Sequence, residues 1–507
     1  MNCKPSKFLF YVEREFHIEL FKNIINMLNS DYQAEIAIYS PLHQESNFQH
    51  PNVGARKDIV LRKCRGEVLW LNNLNDYNPD VTIIADSSYE AIEDKGFIVN
   101  IGHGTISKGS FFTDNNLSYR ENCADLMAVP GQIHKNILSK YLYKPIEIIG
   151  MPKLDDIFKP KLNKIEILKE FGLDINKKTV LIAPTFNPEF SIVPYLQDKI
   201  NDFIPSDYNV IMKLHGVAFE NWQIEYRKLS SISDNFYYYD DYDIAKAFLA
   251  SDVMISDVSS IVFEFMATGK PALVFNSPMM KQHPKYNEKD IEHKYRNISY
   301  EFANLNDIKQ LIPLALNDLN KIRLATQISR RFVSVTDGSS TRLLIEKIFK
   351  HYKPKKNFVY KQFPNIDEII DKPDDVSVFY AKQIEVSPNT KEYLKNCLMV
   401  NKEIDVSIPL YYNHQDSFHN IGFHFPETEN LSFEAIKNAI SYRNAGQYLK
   451  SDKTLCLDCF CCRNSLILKY LSYSKECQIK ASLRLFMEFI KNHNLSFALS
   501  FDTIVKY

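Results

Sequence analysis

The sequence predicts an α/β protein in which two doubly wound lobes face each other across a cleft and a smaller α+β region follows. Three observations support this fold class. Short apolar runs alternate with helical segments as far as about residue 350, which is typical of parallel sheets covered by helices on both faces. The same alternation of apolar runs and helical segments begins a second time near residue 161. The alternation then ends beyond Tyr352, where lysines and prolines gather.

The first lobe is expected over residues 1–160. Its apolar runs are short enough to be buried strands, and the first of them leads into a segment with apolar residues at helical spacing. We expect the helix at 18–28 and the strands at 8–12, 35–39, 81–85, 97–101, 126–129 and 146–149.

The second lobe, expected over 161–352, repeats this pattern after a connection at 158–163 that contains proline and lysine. A helix is expected at 165–171, where Gly172 closes it, and strands are expected at 180–183, 210–214, 253–255 and 272–275, with a half-buried strand at 237–239. In doubly wound sheets, ligands bind beyond the carboxyl ends of the strands. The cleft between the lobes is therefore the predicted binding site.

The C-terminal part of the chain is predicted as a linker, 353–375, and a further domain of unknown role, 376–507. Helical segments are expected there at 433–442 and 483–492. A group of cysteines lies in this domain, at Cys456, Cys459, Cys461 and Cys462. Their spacing can hold zinc, but no second pair of ligands completes a four-ligand site. We therefore expect free thiols.

The bulk composition narrows the class of protein. The formal net charge is −1, so no global basic field indicates a nucleic-acid partner. No run approaches the roughly 18 apolar residues that span a bilayer, and the apolar run at 8–12 is too short for a signal peptide. Nine cysteines, an odd number, favour reduced thiols over a disulfide framework. We therefore expect a cytoplasmic protein.

The segment from Asp240 to Phe265 contains the most informative motif. In it a predicted strand ends at a turn formed by Asp257, Ser259 and Ser260, and a new helix follows. Hydroxyls and unpaired amides at the start of a helix can bind an anion. Glu264, one turn later, can accept hydrogen bonds from a ribose. The alternative is that Asp257 and the serines only cap the helix.

Histidines follow predicted strands in both lobes. His103 follows a strand of the first lobe, and its neighbours Gly102, Gly104 and Thr105 are predicted as supporting residues that allow close approach. His215 occupies the corresponding place in the second lobe. Histidine is the natural general base near neutral pH, so both are candidate catalytic residues.

Two further motifs belong to the second lobe. Thr185 ends a predicted strand, and the residues 337–342 begin the last helix. Ser339, Ser340 and Arg342 can offer hydroxyls, amides and a guanidinium to a phosphate. Because five such elements are expected at one cleft, a substrate site is a better interpretation than a set of unrelated helix caps.

Six motifs occur in the order and rough spacing of a known family, namely GHGT, GMPKLDDIF, VLIAPTF, MKLHG, SDVMISDVSSIVFEF and DGSSTR. Through them, residues 79–349 resemble the CDP-glycerol glycerophosphotransferases of teichoic acid and capsule polysaccharide synthesis. The resemblance implies a GT-B fold and a CDP-activated polyol donor. It also implies transfer of the polyol phosphate to a hydroxyl of a cell-surface glycan or glycolipid. We add the expectation of peripheral association with the cytoplasmic face of the inner membrane.

When the roles of the family's motif residues are transferred to the matching positions, the resemblance implies that His103 is the base that deprotonates the acceptor hydroxyl. It assigns the pyrophosphate of the donor to His215, Ser259, Ser260 and Arg342, and it makes Thr185 and Glu264 contacts of the nucleotide. A positive helix end with histidine and arginine can stabilise the departing CMP. No metal or other cofactor is therefore expected.

Two departures from the family pattern leave the transferred group open. Val258 and Glu264 stand where the family usually has tyrosine and aspartate, and residues 278–284 replace a stretch rich in the same two residue types. That stretch would touch the transferred group, so ribitol phosphate or another CDP-alcohol is an alternative to glycerol phosphate. A GT-B glycosyltransferase that uses a nucleotide sugar is the second interpretation of the chain. An isomerase resembling the sugar-nucleotide 2-epimerases is the third.

Overall fold

The computed structural model contains two Rossmann-like lobes and a third sheet. It describes residues 4–41, 55–86, 92, 95–105, 124–139, 142, 144–216, 218–282, 286, 288, 291–352, 465–466 and 469, together with the C-terminal strands whose bounds are given below.

The N-terminal lobe is built on a seven-stranded sheet in which all the pairings are parallel. Its strands are β1 (Lys7–Tyr11), β2 (Glu35–Tyr39), β3 (Leu69–Leu71), β4 (Val81–Ile84), β5 (Phe97–Asn100), β6 (Leu126–Val129) and β7 (Ile146–Ile148). They lie in the order β3-β2-β1-β4-β5-β6-β7. The order reverses between β1 and β4, which creates a crevice at their carboxyl ends.

Among the described residues, three helices follow strands of this sheet: α1 (His17–Tyr32), α2 (Lys57–Lys63) and α3 (Gln132–Leu138). Helix α1 buries a stripe of apolar residues at helical spacing, among them Ile18, Phe21, Ile25 and Leu28, all with 0% exposure. This stripe packs with Phe8 and Phe10 of β1 in one core. The first residue of α1 is thereby fixed next to the end of β1, at the crevice.

The C-terminal lobe repeats the design with a six-stranded parallel sheet. Its strands are β8 (Lys178–Ile182), β9 (Tyr208–Met212), β10 (Phe236–Tyr238), β11 (Val253–Ser256), β12 (Ala272–Phe275) and β13 (Tyr300–Phe302). Their order is β10-β9-β8-β11-β12-β13. The crevice of this lobe therefore lies at the carboxyl ends of β8 and β11, where Thr185 and Asp257 are found.

Ten helices of this part of the chain lie in the described residues: α4 (Asp155–Phe158), α5 (Lys164–Glu170), α6 (Val193–Leu196), α7 (Ile200–Phe203), α8 (Glu220–Ile232), α9 (Ala245–Ala250), α10 (Ile261–Met266), α11 (Ile291–Lys294), α12 (Ile308–Asn317) and α13 (Leu319–Ser329). Helix α5 starts with a reciprocal cap, because the side chains of Asn163 and Glu166 each bind the backbone N–H of the other.

Helix α14 (Ser340–His351) returns to the N-terminal lobe. Its residues Leu344, Ile345 and Ile348 have 0% exposure and pack in the same core as Phe8 and Phe10. The segment predicted as the second lobe, 161–352, therefore ends in a helix that packs as part of the first. This crossing ties the two lobes together beyond their single connection near residue 160.

The third region contains a mixed sheet of seven strands: β14 (Val376–Tyr380), β15 (Val406–Tyr412), β16 (Ser417–Phe418), β17 (Phe423–His424), β18 (Tyr448–Ser451), β19 (Cys459–Arg463) and β20 (Phe497–Lys506). Strands β15 and β20 pair in parallel, and the other pairings are antiparallel. The helices predicted at 433–442 and 483–492, the linker at 353–375 and Cys456 lie outside the described residues.

The predicted strands of both lobes are confirmed, each to within two residues at either end. The prediction missed β3 and β13, which are three-residue strands at the edges of their sheets. Such short runs offer too little periodicity to be recognised. No helix in the described part of the chain is both long and apolar enough to cross a membrane.

Candidate active site

His103 lies beside a carboxylate at the carboxyl ends of β4 and β5. These strands are neighbours and parallel, and Asp86 follows β4 as His103 follows β5. Nδ1 of His103 is 2.6 Å from Oδ1 of Asp86, while 36% of the histidine side chain stays exposed. Gly102 makes the turn before it with a φ of 63°, and its N–H donates to the side chain of Asn100. This turn places the imidazole against the carboxylate.

The second oxygen of the same carboxylate faces another histidine. His17, the first residue of α1, has a fully buried side chain whose Nε2 is 3.3 Å from Oδ2 of Asp86. The rings of His17 and His103 are nearly parallel, at 22°, with their centroids 6.2 Å apart. One carboxylate therefore bridges two imidazoles at the switch point of the N-terminal sheet.

The protonation states of this cluster differ from group to group. The charge of Asp86 raises the pKa of His103, although burial opposes the shift. Burial lowers the pKa of His17 in spite of the same carboxylate. Burial alone would raise the pKa of Asp86, but the two imidazoles hold it well below its ordinary value. Near neutral pH Asp86 is therefore ionised and His17 is neutral, and His103 is the more readily protonated of the two imidazoles.

His215 reaches the same place from the C-terminal lobe. It follows β9 with an exposed side chain, and its ring centroid is 4.9 Å from that of Phe186. The ring of Phe16 lies 6.2 Å from His215 and also 6.2 Å from His103. The two histidines are therefore separated by no more than twice that distance. The structure brings both predicted catalytic residues to one cleft.

The turn that contains the serine pair is joined to the N-terminal lobe by a hydrogen bond. The Thr105 hydroxyl donates to the carbonyl of Ser260 at 3.0 Å. The carbonyl of Thr105 in turn accepts a hydrogen bond from Nε2 of buried His134 at 2.7 Å. Ser259 and Ser260 are half-buried between β11 and α10. Their contact with a donor pyrophosphate stays a prediction.

Asp257 organises the loop that carries Thr185. Its carboxylate has 1% exposure and accepts hydrogen bonds from the backbone N–H of Thr185 at 2.9 Å and of Ile192 at 3.2 Å. Its carbonyl accepts from the guanidinium of Arg296 at 3.2 Å. Asp257 therefore holds the loop after β8 rather than capping α10, and its predicted role as a supporting residue of the substrate site stays a prediction. Thr185 itself is buried, and its contact with the nucleotide stays a prediction.

Glu264 has a partner that the sequence did not indicate. It has 1% exposure, and its Oε2 lies 2.8 Å from Nζ of Lys153, which belongs to the single turn Pro152–Leu154. A buried carboxylate needs such a cation to offset its loss of hydration. The pair links the connection between the lobes to α10. The proposed ribose contact of Glu264 stays a prediction, and the ion pair is the role that the geometry gives it.

The start of α14 is capped by the carboxylate of Asp155, which begins α4 and lies 185 positions before Ser340 in the chain. Asp155 accepts from the backbone N–H of Ser340 at 3.0 Å and of Thr341 at 2.8 Å. The Ser339 hydroxyl donates to Asp337 at 2.5 Å. These amides are engaged within the protein, so the phosphate contact predicted for Ser339 and Ser340 gains no support from free N–H groups. Arg342, in contrast, is exposed on the first turn.

Four residues that shape the site were not predicted from the sequence: Phe16, His17, Asp86 and Lys153. A signal for Asp86 was present, because it directly follows the apolar run expected at 81–85, as His103 follows the next one. Carboxyl ends of adjacent parallel strands meet at one edge of a sheet, so the pair could have been inferred. His17 and Lys153 carried no comparable signal.

Within the described residues, His17, Asp86 and His103 form one group that could hold a metal ion, with ligand atoms within 4.8 Å of one another. A tetrahedral ion with bonds of about 2.1 Å keeps its ligand atoms about 3.4 Å apart. Nδ1 of His103 and Oδ1 of Asp86 are only 2.6 Å apart. That separation is shorter than two ligands of one such ion keep, so the two groups lie at the distance of a close ion pair rather than around a shared metal.

The segment that contains these motifs matches a known protein family. A family model described as CDP-glycerol:poly(glycerophosphate) glycerophosphotransferase matches residues 98–350, about half of the chain. The match includes His103, His215 and the serine pair. It begins after Asp86 and His17, which lie N-terminal to it.

Curated relatives match a shorter part of the chain. A teichoic acid glycerol-phosphate primase of Bacillus spizizenii is 29% identical over 133 residues, which cover 26% of this chain and 33% of the primase. A teichoic acid poly(glycerol phosphate) polymerase of the same organism is 28% identical over 138 residues, 25% of this chain and 34% of the polymerase. The matched segment thus spans about a third of the length of these relatives.

A solved structure extends the similarity in three dimensions. The wall teichoic acid polymerase TagF aligns with 69% of this chain and 90% of its own at a TM-score of 0.52, with 17% identity. At that identity the likeness concerns the fold, and it confirms the two-lobed GT-B architecture. The family-model match over residues 98–350 shows that the chain belongs to the CDP-glycerol:poly(glycerophosphate) glycerophosphotransferase family.

Proposed function

We propose that the protein transfers a polyol phosphate, with glycerol phosphate as the first candidate, from a CDP-activated donor to a hydroxyl of a cell-surface glycan or glycolipid. CMP is the second product. The observation that carries the proposal is the pairing of His103 with Asp86 at the cleft, opposite His215 of the other lobe. Relatives named as a glycerol-phosphate primase and a poly(glycerol phosphate) polymerase support the class of donor and acceptor.

In the proposed reaction, His103 takes the proton of the acceptor hydroxyl as the oxygen attacks the phosphorus of the polyol phosphate. A new P–O bond forms, and the bond from that phosphorus to the bridging oxygen of CMP breaks. CMP leaves with the electron pair. Positive charge then develops on His103, where the carboxylate of Asp86, 2.6 Å away, stabilises it. A positioned base of this kind contributes about 10²- to 10⁴-fold to a rate.

On the donor side, we assign the pyrophosphate to His215 and to the hydroxyls of Ser259 and Ser260. Hydrogen bonds from such groups to an anion are stronger than those between neutral groups, and they favour the transition state as charge moves to the leaving group. Arg342, exposed on α14, is a further candidate. No metal is required in this scheme.

The place of the reaction is part of the same proposal. A glycolipid acceptor is held in a membrane, so the enzyme must approach the membrane surface to use it. We therefore propose peripheral association with the cytoplasmic face. The nature of the acceptor is the only support for this location.

Thermal unfolding in the presence of a nucleotide panel tests the donor class without an acceptor. The panel contains CMP, CDP, CDP-glycerol, CDP-ribitol, UDP and UDP-N-acetylglucosamine. A ligand at about 100 times its dissociation constant stabilises the folded state by about 2.7 kcal/mol. We expect stabilisation by cytidine ligands, greatest with one CDP-alcohol. Stabilisation by uridine ligands alone would overturn the proposal in favour of a sugar transferase or an epimerase.

A further inference from the structure

The carboxylate behind His103 is held at both of its oxygens. Oδ1 of Asp86 lies 2.6 Å from Nδ1 of His103, and Oδ2 lies 3.3 Å from Nε2 of His17. His17 is fully buried, whereas Asp86 keeps 21% and His103 36% of the side chain exposed. The three groups therefore form a row that runs from the interior of the N-terminal lobe to its cleft.

We infer that His17 and Asp86 are positioning residues for the base His103. Because the proposed reaction uses that base, this inference rests on the proposed function. An ionised carboxylate only accepts hydrogen bonds, so Nδ1 of His103 must carry its proton toward Asp86. Nε2 then has the lone pair that takes the acceptor's proton. His17, through Nε2–H, holds the other oxygen and keeps the carboxylate from rotating away.

The charges of the row suit this division of roles. The titratable and charged groups that face His103 are Asp86, His17, Arg14 and, across the ring of Phe16, His215. Burial keeps His17 neutral by lowering its pKa, so its Nε2 faces the carboxylate at 3.3 Å without adding a positive charge. The acceptor's proton stays on His103 until the product leaves, and His17 neither gains nor loses one.

Packing alone would be a simpler role for His17. Its ring contacts the ring of Phe16 at 4.8 Å and that of Phe21 at 6.3 Å between centroids, so it fills space at the start of α1. A space-filling role needs only the volume of the ring, whereas a positioning role needs a donor at the place of Nε2. The variants His17→Leu and His17→Gln separate these demands, because glutamine offers an N–H near that place and leucine does not.

Steady-state release of CMP from the CDP-alcohol that stabilises the protein is the main measurement. We expect Asp86→Asn to lower kcat by about 100-fold or more with a change in the donor KM below about threefold. The acidic limb of its pH profile should move to lower pH, because the carboxylate that raises the pKa of His103 is gone. His17→Leu should lose about tenfold or more in kcat, and His17→Gln should recover most of it.

Equal losses in His17→Leu and His17→Gln would overturn the positioning role of His17, and a kcat of Asp86→Asn near that of the wild type would overturn that of Asp86. Inactivation by EDTA that zinc reverses would make the row a metal site instead.

If the wild type releases no CMP from any CDP-alcohol, the proposed function fails. The tautomer of His103, measured by ¹⁵N NMR of the histidine-labelled wild type and assigned with His103→Gln, then still decides the inference. Neutral His103 with its proton on Nε2 would contradict it.

Discussion

The two histidines that meet at the cleft come from surroundings of opposite character. His103 belongs to a row of titratable groups in which Asp86 is 2.6 Å away and a fully buried histidine stands behind it. His215 is exposed, and the contacts described for its ring are with two phenylalanines. The N-terminal side of the cleft is therefore enclosed and electrostatically coupled. The C-terminal side is open.

The difference between these surroundings matches the difference between two chemical tasks. A general base needs a fixed tautomer and a tuned pKa, and both come from a close carboxylate in a partly desolvated place. A donor site must admit and release a highly charged nucleotide, so its groups need access to solvent. We therefore expect substitutions on the N-terminal side to change the rate of chemistry and those on the C-terminal side to change affinity.

The largest effect should come from His103→Ala. Removal of the base should lower kcat by about 10²- to 10⁴-fold, while the stabilisation by the CDP-alcohol in thermal unfolding stays within experimental error of the wild type. CMP release and thermal unfolding together measure the two quantities. His351→Ala is a suitable control, because His351 pairs with Glu147 on β7 and should leave both unchanged. Loss of donor binding equal to the loss of turnover would contradict the assignment of His103 as base.

A smaller effect, on the affinity for the donor rather than on kcat, should come from His215→Ala. The loss of one hydrogen bond to a charged phosphate costs about 1.5–3 kcal/mol, which weakens donor binding by roughly 10- to 100-fold. Calorimetric titration with the CDP-alcohol measures the dissociation constant directly. Should affinity stay unchanged while kcat falls as far as in His103→Ala, the two sides of the cleft would not differ in function and the comparison would fail.

The same contrast explains which parts of the site the sequence could predict. Strands of continuous apolar residues place His103, Thr185 and His215 at carboxyl ends, and the rule for parallel sheets then brings them to one cleft. These are properties of local patterns. The structure confirms the strands and the meeting of the two histidines.

Contacts between distant segments could not be predicted in this way. His17 contacts Asp86, which lies 69 positions later in the sequence, and Lys153 pairs with Glu264, 111 positions later. Asp155 caps α14 at Ser340, which lies 185 positions later. No periodicity relates such pairs, because each depends on how whole elements pack. Ligand-binding roles were predicted for Glu264, Ser339 and Ser340, and the structure gives these residues partners within the protein, namely Lys153, Asp337 and Asp155.

The smallest effect should come from Thr105→Val, which removes the hydroxyl that joins the two sides of the cleft. Valine keeps the shape of threonine but leaves the carbonyl of Ser260 without that donor. The loss should cost about 1 kcal/mol, seen as a slightly lower Tm. Thr326→Val removes a hydroxyl that binds Ile322 within α13, so it serves as a control for the loss of one such bond. Because Ser260 belongs to the proposed donor side, we expect a modest rise in the dissociation constant for the CDP-alcohol in Thr105→Val alone. Equal affinities in both variants would show that the bond between Thr105 and Ser260 does not couple the enclosed side of the cleft to the open one.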